Sequence, residues 1–203
     1  IMKIVADFRA SAVRALDAGF QVLEIHAAHG YLIHEFLSPL SNKRMDSYGG
    51  SFENRIRLLI EIVRAVQTVW PSNMAIFVRI SATDWVSGGW DIDEAVQLSS
   101  ILRREGVDLI DTSSGGLVPD AKIPFLPGYQ VGFAARIRKE TGIKTGAVGL
   151  ITSVLQAEDI LKADHADLIL FARESLRNPY FGLIAANELG ENVSWPVQYL
   201  RAK

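Results

Sequence analysis

His26 and His29 stand three residues apart in the run His26-Ala27-Ala28-His29-Gly30-Tyr31. Two imidazoles so spaced, at the end of a short apolar run, can turn into one pocket and donate N–H groups to a carbonyl or oxyanion. Tyr31 adds a phenol that could give up a proton. A competing chemistry is metal binding, with His34 or Glu35 as a third ligand, yet neither completes a compelling ligand set. The plain structural alternative is a pair of histidines hydrogen-bonded within a loop. Arg79 lies inside the apolar run 76–80. An unpaired arginine there costs several kcal/mol of desolvation, so it either belongs to a buried ion pair or faces an anionic ligand. Gly149 and Arg173 each follow an apolar run and precede a helical pattern. Glycine lets backbone N–H groups approach an anion, and arginine can add a bidentate contact. Together they suit a phosphate; separately they read as a turn glycine and a surface arginine.

These residues fall at regular places along a repeating pattern. Residues 3–18 carry apolar positions at helical spacing, and Gly19 is a natural stop. A short strand is expected over 22–26. The polar stretch 38–51 reads as a loop, long enough to suggest a function. Ile56, Leu59, Ile60, Val63, Val66 and Val69 make one helical stripe, ended by Trp70-Pro71. Strands are then expected over 75–80, 107–111, 144–148 and 166–171. Helices separate them: one through Leu102, one over 131–139, one to Lys162 and a last over 180–189. Asp91 with Glu94, and Ser153 with Gln156, have capping-box spacing. The turn Ser113-Ser114-Gly115-Gly116 follows the third strand.

Short, mostly apolar strands alternating with helices imply an α/β fold with parallel strands buried on both faces. Right-handed crossovers allow an open doubly wound sheet or a closed barrel. No Gly-x-Gly-x-x-Gly follows the first strand, which favours the barrel over a dinucleotide fold. In such barrels chemistry gathers at the carboxyl ends of the strands, where each cluster above falls.

Composition narrows the function classes. The chain has 203 residues, is 49% hydrophobic and 22% charged, and carries a formal charge of −2. That balance suits a globular domain and gives no strong field for nucleic acid or acidic membranes. No apolar run is long enough to span a bilayer. There are no cysteines, so disulfides and thiolate chemistry are excluded from this chain. A cytoplasmic enzyme is the expectation, binding neither nucleic acid nor membrane.

The residues also resemble a known family. The run from Glu24 through Leu32, then Phe36-Leu37-Ser38-Pro39, Ser41-Asn42-Lys43-Arg44, Tyr48-Gly49-Gly50-Ser51 and Glu53-Asn54-Arg55 look like the old yellow enzyme family of FMN-dependent ene-reductases. The His-x-x-His form, with Gly128-Tyr129-Gln130-Val131 and Gly146-Ala147-Val148-Gly149-Leu150-Ile151, is similar to its bacterial thermophilic-like subgroup. The resemblance implies an FMN-containing (β/α)8 TIM barrel. It implies that His26 and His29 hold the activating oxygen of an alkene substrate, and that Tyr31 occupies the proton-donor position. It places Arg79 at the flavin N1/O2 edge. Gly149, Ala172 and Arg173 would cradle the FMN phosphate, and Ser114 with Gly115 would line the ribityl region. NADPH or NADH would be the electron donor, in a ping-pong reduction of enones, enals or nitroalkenes. The segment Trp195-Pro196-Val197-Gln198-Tyr199-Leu200-Arg201 resembles the subgroup's tail, which implies that Arg201 binds substrate across the interface of a homo-oligomer, a dimer or tetramer. Two departures stand out: Ala172 replaces the usual glycine, and Gly132 the usual proline.

The resemblance begins in the middle of the family sequence. Residues 1–203 are therefore expected to form one partial FMN-binding domain, strands 4 to 8 of the family barrel, with only the last five strand–helix units present. Such a segment would expose two sheet edges and its inner face. A non-catalytic fragment or partner-completed scaffold is the alternative, as is a different barrel enzyme that binds a phosphorylated substrate or a metal.

Overall fold

The computed structural model describes residues 1–202. Helix α1 (Met2–Asp17) leads into strand β1 (Val22–Ala27), the short helix α2 (Leu32–Leu37) and the long helix α3 (Phe52–Gln67). The alternation continues through β2 (Ala75–Ser81), α4 (Ile92–Arg104), β3 (Leu109–Ser113), α5 (Val131–Thr141), β4 (Lys144–Ala147), α6 (Val154–Lys162) and β5 (Leu168–Ile169). Helices α7 (Arg173–Arg177) and α8 (Phe181–Glu188) and a 3₁₀ turn (Val197–Ala202) complete the described chain.

The capping signals act as their chemistry requires. A first-turn N–H has no partner within its helix, and an N-cap oxygen supplies one. Asp91 accepts from the Glu94 N–H at 3.0 Å, and Ser153 from the Gln156 N–H at 3.2 Å. Ser51 caps α3 through the Asn54 N–H. At the other end of α5, Gly142 takes the left-handed conformation, with φ of 69°, which costs glycine nothing sterically.

The five strands form one parallel sheet in the order β1-β2-β3-β4-β5. Side chains alternate between its faces. On one face Ile25, Val78, Ile80 and Ile110 join Leu58, Leu59, Ile62 and Val63 of α3 and Leu98 and Leu102 of α4 in the main core. Full burial of each such side chain contributes about 1.5–3 kcal/mol. A smaller cluster, including Ala134, Ala147, Ile151 and Ile160, joins the sheet to α5 and α6. The other face carries the chemistry. In register across it lie Glu24, Phe77, Leu109 and Lys144, and beside them His26, Arg79, Asp111 and Gly146. Glu24 and His26 on β1 are exposed, whereas Asp111 on β3 is buried.

Three local expectations are corrected. The third strand starts at Leu109 rather than 107, because the Val107 N–H still bonds the Leu102 carbonyl and the Asp108 carboxylate accepts from the Ile76 N–H. The fifth strand shrinks from 166–171 to Leu168–Ile169. It is an edge strand, and only Gly146 and Ala147 pair with it. Helices α2 and α7 were not anticipated; each is too short for an apolar stripe to announce it. The sheet is an α/β arrangement with β1 and β5 at its edges. Among the described residues no helix is long and apolar enough to cross a membrane.

Candidate active site

The sharpest cluster forms where β1 ends. The His26 and His29 rings meet edge to face with centroids 5.2 Å apart, and the Tyr31 ring lies 5.3 Å from His26. Tyr31 precedes α2 as its N-cap and is 64% exposed, so its phenol is open to solvent or to a ligand. His29 is held far more tightly. Its backbone is left-handed, with φ of 60°, a conformation that costs a non-glycine residue about 1–2 kcal/mol. The surrounding bonds fix it there. The His29 N–H donates to Ser81 Oγ at 3.0 Å, and its Nε2 lies 2.7 Å from Ser113 Oγ. Gly30 and Gly116 make the fit tight: a Cβ on Gly30 would lie 2.4 Å from the Gly116 carbonyl oxygen, and a Cβ on Gly116 would lie 2.5 Å from His29 Cα.

Both rings are kept neutral. Burial, and then the Arg79 guanidinium with the neighbouring imidazoles, pushes His29 down to about 4. Burial, Arg79 and His34 lower His26 in the same way. A neutral imidazole carries one N–H donor and one acceptor, so the pair can bind an oxygen without adding full positive charge. His34 faces elsewhere: its Nδ1 accepts from the Gly30 N–H at 2.9 Å and its Nε2 contacts Asp84. Its nitrogens are thus engaged away from the His26–His29 pair, and the metal arrangement that uses His34 as third ligand does not form.

Arg79 neighbours His26 in the ladder. On its other side its Nη1 lies 3.2 Å from Asp111 Oδ2. This is the first alternative, a contact with a buried carboxyl. The Arg79 side chain is 25% exposed on the open face, and its Nε, like both Asp111 oxygens, has no hydrogen-bond partner among the described residues. Burial drives the Asp111 carboxyl up to about 7; Arg79 opposes this and Glu24 adds to it. Glu24 is itself raised by burial, with Arg79 opposing. The face therefore holds a buried, unpartnered guanidinium Nε beside carboxyl groups that resist ionisation.

A second centre forms at the ends of β4 and β5. Gly149, Leu150, Thr152, Ala172, Arg173 and Arg177 line a small open cavity. Gly149 has φ of +119°, and a Cβ there would meet Gln130 Nε2 at 2.6 Å. Arg177 is paired with Glu174 at 2.8 Å, whereas Arg173 forms no ion pair among the described residues. Arg173 is thus, among the described residues, a cation without an ion pair beside Gly149, in a cavity where Arg177 neutralises the Glu174 carboxylate; a glycine with a free guanidinium fits a phosphate. Ala172, in the usual glycine position, has φ of −114°, a backbone angle open to any residue.

Gln130 links the two centres, a role that its motif did not disclose. It is buried, accepts from Ser114 Oγ at 2.6 Å and donates to the Val148 carbonyl at 2.8 Å. Ser114 is thereby engaged within the protein. Gly115 is covered rather than open: a Cβ on it would lie 2.9 Å from Ile123 Cδ1 and 3.5 Å from Trp85. Arg201 is exposed in the 3₁₀ turn, and no described contact joins it to the His26 cluster. Asp111 and Asp84, which join the contacts around Arg79 and His34, were not singled out in the sequence. Their signal lay in polar side chains placed within or just beyond apolar strands.

Residues 1–192 match the sequence model of the NADH:flavin oxidoreductase / NADH oxidase family, an FMN oxidoreductase family. The chain belongs to that family. It is 55% identical to the NADPH dehydrogenase of Halalkalibacterium halodurans and 53% identical to that of Listeria innocua, over 202 residues in each case. These matches cover 100% of this chain but 59% of each relative. Thus the chain spans less than two thirds of the length of the curated relatives that it matches. Solved structures agree. Morphinone reductase in complex with tetrahydroNAD superposes with a TM-score of 0.73 at 29% identity, covering 96% of this chain and 50% of that one. A 2-naphthoyl-CoA reductase complex gives a TM-score of 0.84 at 25% identity, covering 94% and 29%. Flavin, with NADPH or NADH as electron donor, is the chemistry of this family of enzymes.

Proposed function

We propose that this chain is the flavin- and substrate-holding part of an NAD(P)H-dependent FMN oxidoreductase that reduces activated C=C bonds. The observation that carries the proposal is the register across the open face, which puts His26 and Arg79 side by side while Gly149 and Arg173 form a glycine- and arginine-lined cavity beyond the sheet. The unpartnered Arg79 Nε and that cavity fit the group. Bound FMN would supply the hydride chemistry, accepting hydride from NADPH or NADH and delivering it to the β-carbon of an enone, enal or nitroalkene.

The chain's residues take the remaining roles. His26 and His29 receive the carbonyl or nitro oxygen with N–H donors that do not move on reaction. Neutral rings suit that work, since each keeps one N–H to polarise the oxygen while staying uncharged at neutral pH. Tyr31 holds a proton at its phenolic oxygen, next to His26, for the α-carbon. Arg79 offers guanidinium donors to the electron-rich edge of the flavin. Gly149, Ala172 and Arg173 hold the phosphate. Ser114 and Gly115 shape the nearby wall, Ser114 through its bond to Gln130. Arg201 reaches substrate from a neighbouring subunit of a cytoplasmic homo-oligomer.

The five parallel strands are proposed as the last five units of a (β/α)8 barrel, residues 1–203 forming a single domain. The open edges and exposed inner face would be covered by the remaining units. A partner-completed scaffold without catalysis differs in one respect, the absence of flavin chemistry. The experiment is therefore a spectrum of the purified chain with added FMN, followed by NADPH and an enone. A bound flavin whose absorption bleaches with NADPH and recovers with the enone is the expected result. A chain that takes up no FMN contradicts the proposal.

A further inference from the structure

Behind the loop that carries His29 lies a buried pair to which the chemistry above gives no part. His34 on α2 and Asp84, in the loop after β2, are both fully buried. Asp84 Oδ2 accepts from Ser38 Oγ at 2.5 Å and from the Trp90 N–H at 2.8 Å. Asp84 Oδ1 lies 2.9 Å from His34 Nε2, off the ideal hydrogen-bond axis. Burial pushes the Asp84 carboxyl up, yet His34, Ser38 and the Trp90 N–H together outweigh it and hold the group below the usual carboxylate range. Asp84 is thus an ionised carboxylate that needs a proton on His34 Nε2. His34 Nδ1 accepts from the Gly30 N–H at 2.9 Å, so that nitrogen carries no proton. Only the neutral Nε2–H tautomer satisfies both contacts.

The far end of this chain of contacts is the active loop. Gly30, with φ of +74°, is pressed against Gly116 on one side and bonded to His34 on the other. The residue before it is His29 in its costly left-handed conformation. Such a conformation persists only where the surroundings over-determine it. We infer that His34 and Asp84 are positioning residues, which hold Gly30 and through it aim His29 beside His26 to receive one oxygen. The purpose assigned to the loop rests on the function proposed above; its geometry does not.

The test is nitrogen-15 NMR of the chain labelled at its four histidines. The His34 proton is expected on Nε2, with Nδ1 bare, as its two contacts require. In Asp84→Asn the loosened loop gains water, and the His29 midpoint should rise from about 4 toward the ordinary histidine value, by about one pH unit. The groups that act on His29 are Arg79, His26 and His34; loss of the Asp84 charge by itself would lower the midpoint, not raise it. A folded Asp84→Asn protein with an unchanged or lowered His29 midpoint overturns the inference. If that variant does not fold, His34→Ala and His34→Asn decide. Both remove the imidazole, but the asparagine oxygen can still accept from Gly30, so His29 should rise further in His34→Ala. Equal midpoints in those two proteins overturn the inference. No flavin is needed for these readings. A chain that binds no FMN therefore counts against the proposed function alone, and a His29 indifferent to both positions counts against this inference alone.

Discussion

Burial and Arg79 hold His26 and His29 below the ordinary histidine range, and that property separates them from a cationic anion trap. Replacing either with alanine should leave FMN binding intact and weaken binding of a phenolic ligand by about tenfold or more, the range for a hydrogen bond to a charged group. A ligand titration followed by the flavin spectrum checks this. The buried carboxyl of Asp111 makes a prediction of opposite character. Its pKa is raised to about 7 in the folded chain, against about 3.9 for an ordinary aspartate. The folded state therefore holds a proton that the unfolded state has lost, and the group's contribution to stability falls as pH rises from about 4 to about 7. Asp111→Asn cannot ionise. Relative to the unaltered chain it should gain thermal stability at about pH 8 and show little or no gain at about pH 4. Melting curves at the two pH values give the answer, and a gain confined to acid pH would contradict it. His29 titrates in the opposite sense. Its lowered midpoint favours the folded state above its ordinary value of 6.5, and that stability is lost as pH falls toward 4.

At the scale of elements, caps and close contacts carry the argument. Asp91→Ala removes the acceptor for the Glu94 N–H and should cost about 1 kcal/mol of stability without altering flavin affinity, as chemical denaturation and an FMN titration would show. Gly116→Ala is far harsher. Its Cβ would fall 2.5 Å from His29 Cα at a φ of +91°, so the β1 and β3 loops must separate. Loss of phenolic-ligand binding is expected even where the chain still folds. Helices α1 and α3 were legible in the sequence from an apolar stripe, α4 and α6 from a capping pair, and α5 and α8 from their place in the alternation. Strands β1 and β2 were legible as apolar runs. What escaped was set by tertiary contact. The start of β3 depends on Asp108 reaching the Ile76 N–H. The length of β5 depends on how little of β4 it pairs with. Of the candidate site, residue type alone singles out His26, His29, Arg79 and Arg173. The site was not legible where polar groups meet across long sequence separations: His29 with Ser113, His34 with Asp84, and Ser114 with Gln130.

For the whole molecule, one surface sets the terms. A parallel sheet normally has both faces covered, and here one face is packed by helices while Glu24 and His26 on the other stand exposed. The same openness leaves Val22 and Leu168 on the two edge strands 48% and 43% exposed. A chain spanning 59% of its relatives, with an uncovered face that carries Arg79 and the histidine pair, is proposed to hold FMN there with the phosphate at Gly149 and Arg173. The most direct measurement compares FMN with riboflavin, which lacks the phosphate, by titrating each into the chain and following quenching of flavin fluorescence. FMN should bind at one site and riboflavin at least about tenfold more weakly, since the phosphate contacts are charge-assisted; Arg173→Ala should remove most of that difference. Equal affinity for the two flavins, or no binding of FMN, would contradict the account.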